Sequence, residues 1–86
     1  MARTKATYPE LYKRFGQLLA EAREARGLSQ SEVARRLDKP PSAVWKYENA
    51  ELRLDVIEFL ALAKAVGFDP HDLISRLDAT DLGEPD

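Results

Sequence analysis

Apolar residues along this chain recur every third or fourth position and do not alternate, so the pattern predicts helices and no strand. Leu11, Phe15, Leu18, Leu19 and Ala22 make one stripe, which predicts a first helix over 10–26. Pro9 suits its opening and Gly27 its left-handed cap, while Arg23 and Arg26 in the last turn complement the helix dipole. A second helix is expected over 30–37: Ser29 and Glu32 have capping-box spacing, and Val33, Ala34 and Leu37 point inward. A third over 41–49 opens on Pro41, whose missing N–H costs nothing there, and buries Val44 and Tyr47. A fourth over 56–66 starts from the Asp55/Glu58 pair, stops at Gly67, and offers Val56, Phe59, Leu60 and Ala63 to the core. A short fifth over 70–77 is capped by Asp69, opened by Pro70, and edged by Leu73, Ile74 and Leu77. The expected architecture is all-α: one five-helix domain over 9–77, a flexible basic arm at 1–8, and an acidic, disordered tail at 78–86.

Composition changes this picture little. A chain of 86 residues buries one modest core, hence one domain. The absence of Cys excludes disulfides and fits a reducing, cytoplasmic setting. No apolar run approaches the roughly 20 residues that span a bilayer, and Met1–Pro9 lacks the apolar block of a signal peptide, so no membrane role is expected. There is no Gly-rich phosphate loop, no Cys or His cluster and no nucleophile beside a base, which argues against an enzyme, a cofactor or a small-molecule ligand. His71, the sole histidine, lies in a predicted first helical turn and reads as a surface or capping residue rather than a metal ligand.

Charge changes it more. The formal net charge is −2, unpromising for a nucleic-acid binder. Its distribution is uneven. Six basic residues (Arg3, Lys5, Lys13, Arg14, Arg23 and Arg26) face three acidic ones before Leu28, whereas from Asp55 onward two basic residues face eight acidic ones. A basic front suits an anionic partner, although ordinary solvated surface would look the same.

The informative stretch is LSQSEVARRLDKPPSAVWKYEN, residues 28–49. Two short helices joined by 38–40 have too little chain between them to lie antiparallel and must cross steeply. Ala34 is small where they approach, and Leu37 with Val44 closes a miniature core. The outer face of the third helix then projects, and a projecting helix fits the major groove of B-DNA.

These residues resemble the Cro and lambda-repressor-like, or XRE, family of helix-turn-helix proteins. The resemblance spans roughly Phe15 to Leu77. It is carried in order by Ala22-Arg23-Glu24-Ala25-Arg26-Gly27-Leu28, then Ser29-Gln30-Ser31-Glu32-Val33-Ala34, then Val44-x-Lys46-Tyr47-Glu48-Asn49. Leu54-Asp55-x-x-Glu58-Phe59-Leu60 and Ala63-x-Ala65-Val66-Gly67-x-Asp69-Pro70 follow. The resemblance implies that Pro41, Ser42, Trp45 and Lys46 form the outward reading face, with Ser42 and Lys46 as direct base readers. It implies that Gln30 touches phosphate, that Asn49 and Arg53 add backbone contacts, and that Glu48 pairs within the domain. Of Arg35 and Arg36, one is expected to face phosphate, here assigned to Arg35. Arg3 and Lys5 are expected to form an arm along the DNA. The family also implies a repressor acting as a homodimer on a palindromic operator; the apolar edge Phe68, Leu73, Ile74 and Leu77 is the candidate dimer contact.

Several positions depart from that family's pattern. Asp38 stands where the turn often has Gly, and Asp tolerates the left-handed region. Pro41 replaces a polar reader and cannot make a bidentate adenine contact. Ala50 replaces a usual Gly, so Asn49 is expected to take the left-handed role. Trp45 replaces a small polar residue. It suits a thymine methyl or a sugar, packing back on the helix surface, or a protein partner. The last option defines the alternative function: a protein-interaction module on the same scaffold, with Trp45 and a flattened Pro41/Ala43 face as contact surface.

Overall fold

The computed structural model describes residues 8–80. Five helices follow one another: α1 (Tyr8–Ala25), α2 (Gln30–Arg36), α3 (Pro41–Glu48), α4 (Val56–Val66) and α5 (Pro70–Asp78). No strand occurs among the described residues. The expected arm residues Arg3 and Lys5 and the end of the acidic tail lie outside the described residues, and α5 extends one residue past its expected end, to Asp78.

Local chemistry sets where each helix starts. At α2 the Ser29 hydroxyl accepts the Glu32 amide at 3.1 Å while the Glu32 carboxylate accepts the Ser29 amide at 3.1 Å, a complete capping box. Those bonds favour the ionised form of Glu32, so its pKa is lowered, the backbone bond from Ser29 being the main cause. Asp55 accepts the Glu58 amide at 2.7 Å and Asp69 the His71 amide at 2.8 Å, opening α4 and α5. At α3 no side chain caps the start; Pro40 and Pro41 instead supply a turn whose φ is already set.

The first four helices all stop in the same way. An amide five residues on closes the last turn: Leu28 to Arg23, Lys39 to Ala34, Glu51 to Lys46 and Phe68 to Ala63. The residue just before each of those amides has positive φ: Gly27, Asp38, Ala50 and Gly67. Asp38 at φ 56° bears out the tolerance expected of Asp. Asn49 does not take the left-handed role. It lies at φ −101°, and Ala50 adopts φ 60° despite its Cβ, because the chain must reverse one residue later to bring Glu51 back to Lys46. An Ala held there is strained by about 1 kcal/mol. Ala50→Gly is therefore expected to raise the thermal midpoint by a few degrees, read by circular dichroism; a lower midpoint would show that the Ala50 methyl is needed by its neighbours.

The core joins all five helices. Leu18 and Leu19 of α1, Val33 and Ala34 of α2, Val44 and Tyr47 of α3, Phe59, Leu62 and Val66 of α4, and Leu73 of α5 are buried together. Phe15, Phe59 and Phe68 form a tilted aromatic row with centroids 5.5 and 5.8 Å apart, favourable for ring quadrupoles. Two residues expected in the core are outside it: Val56 is 71% exposed and Leu60 40%. The buried stripe of α4 is Phe59, Leu62, Ala63 and Val66, so Leu62 takes a core place and Leu60 turns away from it. Val56 instead borders an open apolar groove between α1, the start of α4 and α5, with Tyr8, Leu11, Tyr12, Ile74 and Leu77 on its walls.

α1 and α3 approach closely at Gly16. Gly16 is buried, and a Cβ placed there would stand 2.3 Å from the Glu48 carbonyl oxygen. Only a residue without a side chain lets the last turn of α3 sit against α1.

Candidate nucleic-acid interface

α3 is divided lengthwise. Ala43, Val44 and Tyr47 are buried, while Pro41, Ser42, Trp45 and Lys46 are all exposed on the other side. Ala43 thus leaves the reading face on which it was expected; its small side chain is what lets α3 press into the domain. The exposed face has two rows. Pro41 and Trp45, four residues apart, make an apolar row, and Ser42 and Lys46 make a polar one beside it.

The remaining candidate residues surround this helix in different ways. Arg35 is exposed and borders a shallow polar depression shared with Ser31, Asp38, Lys39, Pro40 and Pro41 at the α2–α3 junction. Arg36 points elsewhere and donates to the Ala65 carbonyl at 2.7 Å, tying α2 to α4. Asn49 is exposed, and its Nδ2 donates to the Trp45 carbonyl at 2.8 Å, so part of its hydrogen-bonding capacity goes to the end of α3. Arg53 lies over the Tyr12 ring, 4.3 Å from its centroid, a cation–π contact that holds the loop after α3 against α1.

Gln30 belongs to a network under the reading face. Its Nε2 donates to Glu48 Oε1 at 2.9 Å. The same carboxylate receives a fork from Arg23, Nε to Oε2 at 2.6 Å and Nη2 to Oε1 at 3.0 Å, and Arg23 Nη1 donates to the Leu28 carbonyl at 2.8 Å. The hydrogen bond to Glu48 raises the Arg23 pKa above its ordinary value. One carboxylate thereby fixes the end of α1, the start of α2 and the end of α3. Glu48 pairs within the domain as the resemblance implied, whereas Arg23, expected only to complement the helix dipole, is its partner. No sequence signal announces a pair 25 residues apart. Nearby, the Tyr47 hydroxyl donates to Glu58 at 3.3 Å and Lys39 lies 3.8 Å from the same carboxylate; burial, with Glu58 adding to it, pushes the Tyr47 phenol up.

Two short packed helices joined by a tight turn, with the second presenting one exposed face, form a helix-turn-helix unit. A helix-turn-helix domain family model matches residues 14–77, and that match covers most of the chain. The chain belongs to the XRE family of helix-turn-helix DNA-binding regulators. An XRE-family-like protein from Pseudomonas syringae pv. tomato str. DC3000 is 51% identical over 80% of this chain and 84% of its own, with a TM-score of 0.74. The restriction-modification controller protein C.AhdI from Aeromonas hydrophila is 35% identical over 77% of this chain and 98% of its own, with a TM-score of 0.68. The clp gene regulator ClgR from C. glutamicum, at 17% identity, covers 81% of this chain and 91% of its own with a TM-score of 0.75, a likeness of fold alone. No match was found among curated proteins.

The XRE family consists of transcription regulators rather than enzymes. Among the described residues no group of His, Cys, Asp and Glu gathers to hold a metal, and no helix is long and apolar enough to cross a membrane. Of the four residues expected at a dimer contact, Leu73 is 4% exposed and belongs to the core, because α5 turns that side chain toward α1 and α4. Phe68 and Leu77 pack half-buried against the same core. Ile74 alone is well exposed, at 47%.

Proposed function

We propose that this XRE-family chain is a cytoplasmic transcriptional repressor that binds a palindromic operator as a homodimer, with α3 of each copy in the major groove. The observation that carries the reading is the divided α3, with Pro41, Ser42, Trp45 and Lys46 exposed on one face and Ala43, Val44 and Tyr47 buried on the other. Lys46 suits guanine O6 and N7, Ser42 suits several bases, and Pro41 and Trp45 supply apolar contact. Arg35 and Asn49 lie beside that face, and with Gln30 and Arg53 they are proposed to contact phosphate, Arg3 and Lys5 extending the contact from the N-terminal arm. The second copy is proposed to cover Ile74 together with Val56, Ile57 and Leu60, four exposed aliphatic side chains on α4 and α5. A two-fold contact brings the same apolar side chains of both copies together and removes them from water.

Selection from a random duplex pool, followed by titration of the winner across a salt series, tests the reading. A palindromic site should emerge, and affinity should fall steeply with salt, with a log–log slope of about −0.9 for each phosphate neutralised. Lys46→Ala should weaken binding at least tenfold and relax one base position in each half-site. Ile57→Glu should convert the dimer to a monomer in sedimentation while leaving the helical content unchanged. Absence of any enriched sequence would overturn the reading and turn attention to the Trp45 face as a protein contact.

A further inference from the structure

The reading face of α3 is poor in hydrogen-bonding groups. Pro41 has none to offer, Asn49 spends one amide N–H on the Trp45 carbonyl, and Ser42 and Lys46 are the polar side chains in the row beside Trp45. Its largest side chain is an indole, 45% exposed, whose Nε1 has no partner among the described residues. An apolar ring pressed against the polar edges of bases strips water from acceptors and donors that it cannot replace, which is unfavourable. The major groove offers one apolar group, the C5-methyl of thymine, and beside it the thymine O4 acceptor. An indole carries the matching pair, an apolar ring edge and a single N–H donor.

We infer that Trp45 reads the C5-methyl group of a thymine in each half-site of the DNA. This rests on the groove-reading role of α3 proposed above and adds the chemistry of one base position to it. Trp45 stands one helical turn from Pro41 in the apolar row, so the methyl contact lies beside, not on, the base pairs reached by Ser42 and Lys46. The two rows divide the work: the polar row discriminates by hydrogen bonds, and Trp45 in the apolar row by one methyl group. The same contact makes binding sensitive to the methyl itself. Thymine and uracil pair identically with adenine and differ only there.

The test uses the full chain and the operator obtained by selection, with each thymine replaced in turn by uracil, symmetrically in both half-sites. Loss of one buried methyl per half-site should weaken binding about fourfold each, or on the order of fifteenfold for the symmetric pair, at one position and nowhere else. Trp45→Ala should bind the thymine and uracil operators equally at that position, and Trp45→Phe, which keeps an apolar ring, should retain most of the difference. Because Trp45 is half-exposed, neither variant opens a hole in the core, and unchanged thermal midpoints confirm that each folds. The inference is overturned if the uracil scan is flat for the wild-type protein, or if the uracil effect persists in Trp45→Ala. A flat scan on an operator that still binds with steep salt dependence removes this inference alone; failure to bind any duplex removes the DNA-reading role beneath it.

Discussion

Gly16→Ala is expected to lower the thermal midpoint by on the order of 15 °C, against a helix propensity that favours the substitution by about 1 kcal/mol. The added Cβ would lie 2.3 Å from the Glu48 carbonyl oxygen, 2.8 Å from its carbon and 3.1 Å from the Tyr47 carbonyl oxygen. All three are backbone atoms of α3, so no rotamer change relieves the overlap and the two helices must separate. Forced separation in a packed core costs about 3 kcal/mol. A domain of this size shifts by roughly 4–8 °C per kcal/mol. Gly27→Ala is the informative control. Gly27 has φ +67° but nothing within 4 Å of its would-be Cβ, so only the conformational cost of about 1 kcal/mol applies. Thermal unfolding of both variants by circular dichroism separates steric from conformational demand. A Gly16→Ala midpoint within 5 °C of wild type would mean that the α1–α3 approach tolerates more than its geometry indicates.

Removing one partner of the Arg23–Glu48 pair should be nearly as damaging, and removing both should not. The two side chains are 13% and 7% exposed, and Glu48 accepts from both Arg23 and Gln30. Glu48→Leu leaves the guanidinium without its carboxylate and Gln30 Nε2 without an acceptor. Arg23→Met leaves the Glu48 carboxylate without its cation, with Gln30 Nε2 still donating to it. Each should cost about 3 kcal/mol, the low end for a broken buried pair because the site retains some access to water. The double variant Arg23→Met/Glu48→Leu exchanges the charges for apolar groups of similar size and should recover most of that loss. A denaturant-unfolding cycle reads the coupling directly. Its value would be near zero if the pair were decorative. DNA affinity is expected to separate from stability in the double variant. Gln30 loses the bond that orients it, so binding to a selected operator should stay weaker than wild type even where the fold is restored.

The legible part of this protein is its local part. Ser29 with Glu32, Asp55 with Glu58, Asp69 with Pro70, and the glycines at 27 and 67 act over five residues or fewer, and each marks a helix end where the structure has one. The three-and-four spacing found the buried faces of α1 and α2 and the Val44/Tyr47 face of α3 for the same reason: a helix fixes which neighbours share a side. The resemblance across 15–77 then supplied the functional class, and the match over 14–77 shows the family. Where spacing alone was asked which of two faces is covered, it failed. It placed Val56 and Leu60 in the core and Ala43 on the surface, because a helical stripe states that residues face together but not what lies opposite.

Everything that depends on a second helix was decided by tertiary structure. Gly16 reads as a mild blemish in an amphipathic helix, and only the arrival of the Glu48 backbone beside it makes a side chain impossible. Arg23 sits where a helix dipole welcomes any cation, yet its partner is 25 residues away on α3. Arg35 and Arg36 are equivalent in sequence, and the position of the Ala65 carbonyl separates them. Ala50 rather than Asn49 takes the left-handed turn because the amide of Glu51 has to return to Lys46. Capping and periodicity are energies of adjacent residues and are written into the order of the chain. Close approach and buried pairing are energies of distant segments, which exist only once the hydrophobic core has brought those segments together.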